Sequence, residues 1–196
     1  MQDLGKIEAA ADSGNHSKDL ACAATCNRPR IPCIPHAAEA SMAGLIEKKL
    51  SNLGVTLPTP ASPIANYVPL VRSGNMLVVS GQICFGPDGK LVAKGQLGGG
   101  VSIEDGQKAA RACAINLLAQ LKYALGDLDQ VSRVVRLGGF INSAPGFTDG
   151  AKVMNGASDL MVEAFGDKGR HARSTVGVAA LPADAAVEVE GLFEVC

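Results

Sequence analysis

Residues 172–195 read ARSTVGVAALPADAAVEVEGLFEV, and the fold of the chain follows from how this stretch must be laid out. Across residues 186–195 the alternation sends Glu188, Glu190, Leu192 and Glu194 to one side and Val187, Val189, Gly191, Phe193 and Val195 to the other. A period of two is that of a strand buried on one face. Residues 173–179 form a second strand-like run, joined to the first through Leu181-Pro182-Ala183-Asp184. The two strands share one apolar face, which needs a cover.

The preceding sequence supplies it. Residues 148–165 place Val153, Met154, Ala157, Leu160, Met161 and Ala164 on one helical stripe that stops at Gly166. Residues 131–141 are β-branched and read as a strand. Before them, Ser102 and Asp105 open a helix whose apolar residues Ala110, Cys113, Ala114, Leu117, Leu121 and Leu125 run to Gly126. Pro87-Asp88-Gly89 is a turn, and Ser73-Gly74-Asn75 joins strands at 67–71 and 76–80 into a hairpin. Residues 43–53 suit a short amphipathic helix, after which Pro58, Pro60 and Pro63 hold the chain extended. The order ββαβαββ predicts an α+β domain with helices on one face of a sheet.

The 196 residues fit one domain, 42–196, preceded by an extension, 1–41, rich in Ala, Ser, Asn and Pro, which reads as flexible. Cys22, Cys26, Cys33 and His36 lie there at a spacing that invites zinc, but no second paired knuckle follows and prolines hold the segment extended. No metal site is therefore assigned. A net charge of −1, no Trp and two Tyr count against a dedicated nucleic-acid binder. No apolar run is long enough to span a membrane. The start lacks a secretory pattern, and the scattered cysteines suit a reducing, cytoplasmic setting with Cys84 and Cys113 as small buried hydrophobes.

Chemistry-bearing residues are few. His171 is the one histidine of the folded part, and a triad would need it beside an activated nucleophile for which no elbow sequence exists. Gly98-Gly99-Gly100 lacks the Lys-Ser/Thr partner of a phosphate loop. Arg173 enters an apolar strand, where a guanidinium wants an anion. Spacing leaves two readings open: a structural ion pair, or an anchor for a ligand carboxylate. Glu188, Glu190 or Glu194 could meet Arg173 at a sheet edge or subunit seam, or form a solvated face.

Ala172-Arg173-Ser174-x-Val176-x-x-Ala179-x-Leu181-Pro182, followed by Val187-Glu188-Val189-Glu190, resembles the C-terminal signature of the YjgF/Rid family of enamine/imine deaminases. Tyr67-Val68-Pro69, the run Gly74–Ile83 and Val153-Met154-Asn155 agree, so the likeness spans roughly residues 63–196. It implies a chorismate-mutase-like subunit, two helices on one mixed sheet, assembled as a homotrimer with ligand clefts at its interfaces. It further implies hydrolysis of 2-aminoacrylate-type 2-imino acids to 2-oxo acids and ammonia, with no metal or organic cofactor. By carry-over Arg173 is the carboxylate clamp and Glu188 orients the attacking water. Tyr67, Ser80, Gly81, Asn155 and Thr175 line the cleft. Thr175 stands where well-studied deaminases often carry Cys, Gly177 where Glu is common, and residues 138–150 are longer than in compact members. The alternatives are a non-catalytic trimer that binds a 2-oxo acid and, against the composition, an endoribonuclease or translation inhibitor of the L-PSP type.

Overall fold

The computed structural model describes residues 44–60 and 67–196. The Cys22/Cys26/Cys33/His36 spacing and the expected flexible extension lie outside the described residues.

Helix α1 (Leu45–Asn52) is followed by strands β1 (Leu70–Ser73) and β2 (Met76–Ile83), helix α2 (Ile103–Leu125) and strand β3 (Val131–Asn142). Helix α3 (Gly150–Phe165) and strands β4 (Ala172–Val178) and β5 (Val187–Val195) complete the order. The five strands form one mixed sheet, β1-β2-β5-β3-β4. Only β3 and β4 run parallel, and parallel neighbours need a crossover, which α3 provides.

Local chemistry sets these boundaries. The Ser102 hydroxyl accepts the Asp105 N–H at 3.0 Å, and Gly126, at φ 76°, ends α2 in the left-handed region. The sheet's inner face packs on α2 and α3, with Leu77, Leu117, Leu137, Met154, Leu160 and Phe193 fully buried. The helices approach closely because a side chain at Gly156 would run into the Gln107 backbone. Cys84 and Cys113 are buried, their thiols donating to the Ala93 and Val187 carbonyls at 3.3 Å. The third helix, α1, packs mainly against α3. Its first amides, on Leu45 and Ile46, donate to the Asp129 carboxylate at 2.8 and 2.9 Å.

Two boundaries differ from expectation by three residues. The first strand begins at Leu70, not 67, because Pro69 has no N–H to give to a ladder; its carbonyl still accepts the Ser80 N–H at 2.9 Å. Strand β2 runs past Ser80 to Ile83 through a bulge between Val79 and Gln82, which turns Ser80 and Gly81 out of regular pairing with β5. The alternation on β5 holds: Val187, Val189, Gly191, Phe193 and Val195 are buried, and the residues between them are half-buried on the open face. Among the described residues no helix is long and apolar enough to cross a membrane.

Candidate functional site

Arg173 lies on the edge strand β4, opposite the buried Leu137 of β3, so its side chain turns to the helix face. There α3 receives it. Nη1 donates to Asn155 Oδ1 and Ser158 Oγ, each at 3.0 Å, and Nη2 donates to the Ala151 carbonyl at 3.1 Å. Asn155 and Ser158, three residues apart, share a helical face. All three acceptors are neutral, so among the described residues the guanidinium charge has no anionic partner. Three of its five N–H groups are engaged, leaving two for an external acceptor.

Among the described residues no ion pair joins Arg173 to a β5 carboxylate of the same chain, one of the readings that the spacing left open. Glu190 sits 3.9 Å from Arg136, and Glu194 accepts from the Asn75 amide at 2.9 Å. Strand parity explains it: the three glutamates point to the open face, Arg173 to the helices.

His171 joins the same cluster. Its Nδ1 lies 2.6 Å from the Gly169 carbonyl, which can only accept, so Nδ1 carries the proton. Nε2 is then the acceptor for the Ser158 hydroxyl at 3.1 Å. With a carbonyl where a triad places a carboxylate, and Ser158 also held by Arg173, this is no nucleophile–base pair. Burial, then the Arg173 charge, pushes the His171 pKa below its ordinary value.

Thr175, two residues along β4, has its hydroxyl oxygen buried without a hydrogen-bond partner. It faces a cavity of about 200 Å³ shared with Ile141, Ser143, Phe147 and Gly150. Glycine at 177 also has a local cause, since a Cβ there would collide with the Ser143 hydroxyl.

The other carried-over residues gather around β2. Glu188 lies over Gly81, where any side chain would strike its carboxylate. Half-burial, then the neighbouring Glu190 charge, raises the Glu188 pKa above the ordinary carboxylate value. Ser80 Oγ donates to the Val68 carbonyl at 3.0 Å and so ties the Tyr67 segment to β2. Tyr67 itself is 52% exposed. Tyr67, Gly81 and Glu188 border a cavity of about 740 Å³ that extends between α2 and residues 56–60.

The candidate residues thus form two groups. Arg173, Asn155 and Thr175 stand on the helix face at the β4 edge, while Tyr67, Ser80, Gly81 and Glu188 stand around β2, Glu188 on the open face. The sequence reading missed Ser158 and the part His171 plays. The signal for Ser158 was its spacing of three from Asn155. One further acidic cluster among the described residues, Glu47, Asp127 and Asp129, is occupied structurally: Glu47 pairs with Lys122, Asp127 accepts the Asp129 N–H, and Asp129 caps α1.

Residues 47–194 match a family described as "YjgF/chorismate mutase-like, putative endoribonuclease". Protein TCP17 of Trypanosoma cruzi is 51% identical over 152 residues, 77% of this chain and 94% of that one. Among solved structures, Atu1372 of Agrobacterium tumefaciens, a protein of unknown function, is 46% identical with a TM-score of 0.73, covering 78% of this chain and 93% of its own. TdcF of E. coli, solved with bound serine, is 26% identical with a TM-score of 0.52, covering 72% of this chain and 96% of its own. The three helices and five-stranded mixed sheet are the fold of these proteins.

Proposed function

The chain belongs to the YjgF/chorismate-mutase-like family, and from that premise we propose that it hydrolyses 2-imino acids to 2-oxo acids and ammonia, in clefts formed between copies of itself. The observation that carries this reading is Arg173: a guanidinium fixed by three neutral acceptors, with two N–H donors to spare. Such a group is built to receive one planar carboxylate. The serine bound to TdcF is a molecule with that group.

The separation of the two clusters supports a self-assembled site. Arg173 sits on an edge strand, while Glu188 lies on the central strand, two places away, and on the opposite face. A homotrimer, the assembly that the resemblance implies, joins the Arg173 group of one copy to the Glu188 group of the next. Light scattering showing a stable monomer at micromolar concentration would overturn this arrangement.

An enamine first tautomerises to its imine, whose C2 is electrophilic once nitrogen is protonated. Arg173 holds the carboxylate attached to C2. Glu188 accepts a hydrogen bond from a water, whose oxygen bonds to C2 as the C=N pair moves onto nitrogen. One proton of this water passes through Glu188 to nitrogen; as the C–N bond breaks and ammonia leaves, the remaining hydroxyl proton goes to the Glu188 carboxylate and C2 becomes a carbonyl. A carboxylate with a raised pKa suits both acceptance and return of a proton. Orientation is the main contribution, worth up to several kcal/mol.

The second reading is a trimer that binds a 2-oxo acid without turnover, and Thr175 in place of a thiol favours it. Endoribonuclease chemistry fits less well: the net charge is −1, and His171 has Nδ1 committed to a carbonyl. The deciding experiment is 2-oxo acid release from an enzymatically generated 2-imino acid. Wild type should accelerate it and Arg173→Ala should not; ligand binding without acceleration selects the second reading.

A further inference from the structure

The cavity beside Glu188 is far larger than a three-carbon imino acid requires. It encloses about 740 Å³, and Pro58, Pro60, Ile83, Phe85, Ala119 and Pro182 form much of its wall. A small acid bound at Glu188 would leave most of the apolar surface that each copy contributes here without apolar contact from the ligand, which is unfavourable.

Two of the polar side chains along the wall, Asn116 and Gln82, are already engaged with the backbone. The Asn116 amide donates to the Ile83 and Phe85 carbonyls at 3.1 Å. The Gln82 amide donates to the Ser80 and Gly81 carbonyls at 3.0 and 3.2 Å. Both amides therefore hold the β2 end of the cavity in shape and spend donors there that a polar ligand would need. Pro58 and Pro60, with φ locked, lose little further backbone freedom when a ligand is held against them. A pre-formed, mainly apolar cavity with one carboxylate at its border is a site for an apolar group attached to a small polar head.

Resting on the deaminase reading, we infer that the substrates are 2-imino acids with a bulky apolar side chain, branched or aromatic. The imine carbon lies at Glu188 and the side chain fills the cavity towards Phe85 and Ala119. Discrimination then rises with each buried carbon, by about tenfold or more per methylene in a well-fitted apolar pocket. A gain of at least tenfold in kcat/KM from the smallest to the bulkiest side chain is a modest demand on that scale.

The test compares imino acids generated in situ from alanine, leucine and phenylalanine by an amino-acid oxidase, followed by 2-oxo acid release. Wild type should favour the leucine- and phenylalanine-derived imines at least tenfold in kcat/KM. Phe85→Ala, which removes wall, and Ala119→Leu, which fills the cavity, should each reduce that ratio. The ratio is independent of the folded fraction, so partial unfolding of a variant does not obscure it. Equal rates, a preference for the alanine-derived imine, or a ratio unmoved by both variants would overturn the inference. Binding of pyruvate and 3-phenylpyruvate, measured by calorimetry, separates it from the deaminase reading. If no imine is turned over but phenylpyruvate binds at least tenfold tighter than pyruvate, the cavity assignment survives and the catalytic one falls. Equal affinity sinks the cavity assignment whatever the catalytic result.

Discussion

His171 and Arg173 share one hydroxyl: Ser158 Oγ accepts from the guanidinium at 3.0 Å and donates to the imidazole at 3.1 Å. The arrangement requires a neutral ring. Protonated, Nε2 becomes a donor, and Ser158 must accept from two cations whose charges repel.

This gives a pH dependence with a definite sign. The folded state lowers the His171 pKa from its ordinary 6.5, so as pH falls the unfolded chain takes up the proton first. Stability contributed by the neutral ring is full above about 6.5 and is lost as pH falls through the lower folded value. Thermal unfolding from pH 8 to 5 should show wild type losing more stability than His171→Gln, which does not titrate. Superimposable profiles would show that the ring is not coupled in this way.

Glu188 has the opposite sign. Its folded pKa is raised, so the folded chain holds the proton that the unfolded chain releases, and this contribution is lost as pH rises from about 4.5 through the folded value. At neutral pH the charged carboxylate is a burden on the fold. Glu188→Gln should raise Tm at pH 7 by roughly 1–3 °C, the scale of a sub-kilocalorie gain in a domain of this size, while abolishing imine hydrolysis. A lower Tm in the variant would mean that the carboxylate has a stabilising partner.

How much of this was legible beforehand depends on range. The β5 alternation, the Ser102 cap and the stripe from Val153 to Ala164 are local signals, and the chain obeys them. The opposed faces of Arg173 and Glu188 are not local. They follow from two registers, Arg173 against Leu137 and Leu137 against Gly191, which place Arg173 in the inward parity of β5. No inspection of residues 172–195 alone reveals that relation. The Arg173–Asn155 and Arg173–Ser158 bonds likewise exist only once α3 has folded back over β4, although Asn155 itself was carried over from the family likeness.

Two glycines should separate function from stability. A Cβ on Gly81 would meet the movable end of Glu188, and the backbone there needs no left-handed conformation, so Gly81→Ala displaces the carboxylate and leaves the sheet intact. Activity should fall about tenfold or more, with Tm nearly unchanged. A Cβ on Gly156 would meet the Gln107 backbone, which cannot swing aside, so Gly156→Ala must push α2 and α3 apart at a cost of about 1–3 kcal/mol. Equilibrium denaturation of both variants, with activity assayed well below their midpoints, distinguishes the two outcomes.

The Arg173→Lys variant asks whether the guanidinium serves a ligand or the fold. Lysine keeps the charge and can reach one or two of the acceptors on α3, but it cannot offer two parallel N–H donors to a carboxylate. Because Asn155 Oδ1, Ser158 Oγ and the Ala151 carbonyl are neutral and partly reached by solvent, their loss strands no buried charge. Stability should drop by no more than about 1 kcal/mol, the usual net worth of such hydrogen bonds. Weakening a partly desolvated charged contact to substrate costs on the order of 2–5 kcal/mol, so imine hydrolysis should fall roughly 30-fold or more. A structural arginine predicts the reverse: marked destabilisation, with residual turnover tracking the folded fraction. Thermal unfolding and 2-oxo acid release measured on the same Arg173→Lys and Arg173→Ala preparations decide between them, and full activity in well-folded Arg173→Ala would remove Arg173 from the site.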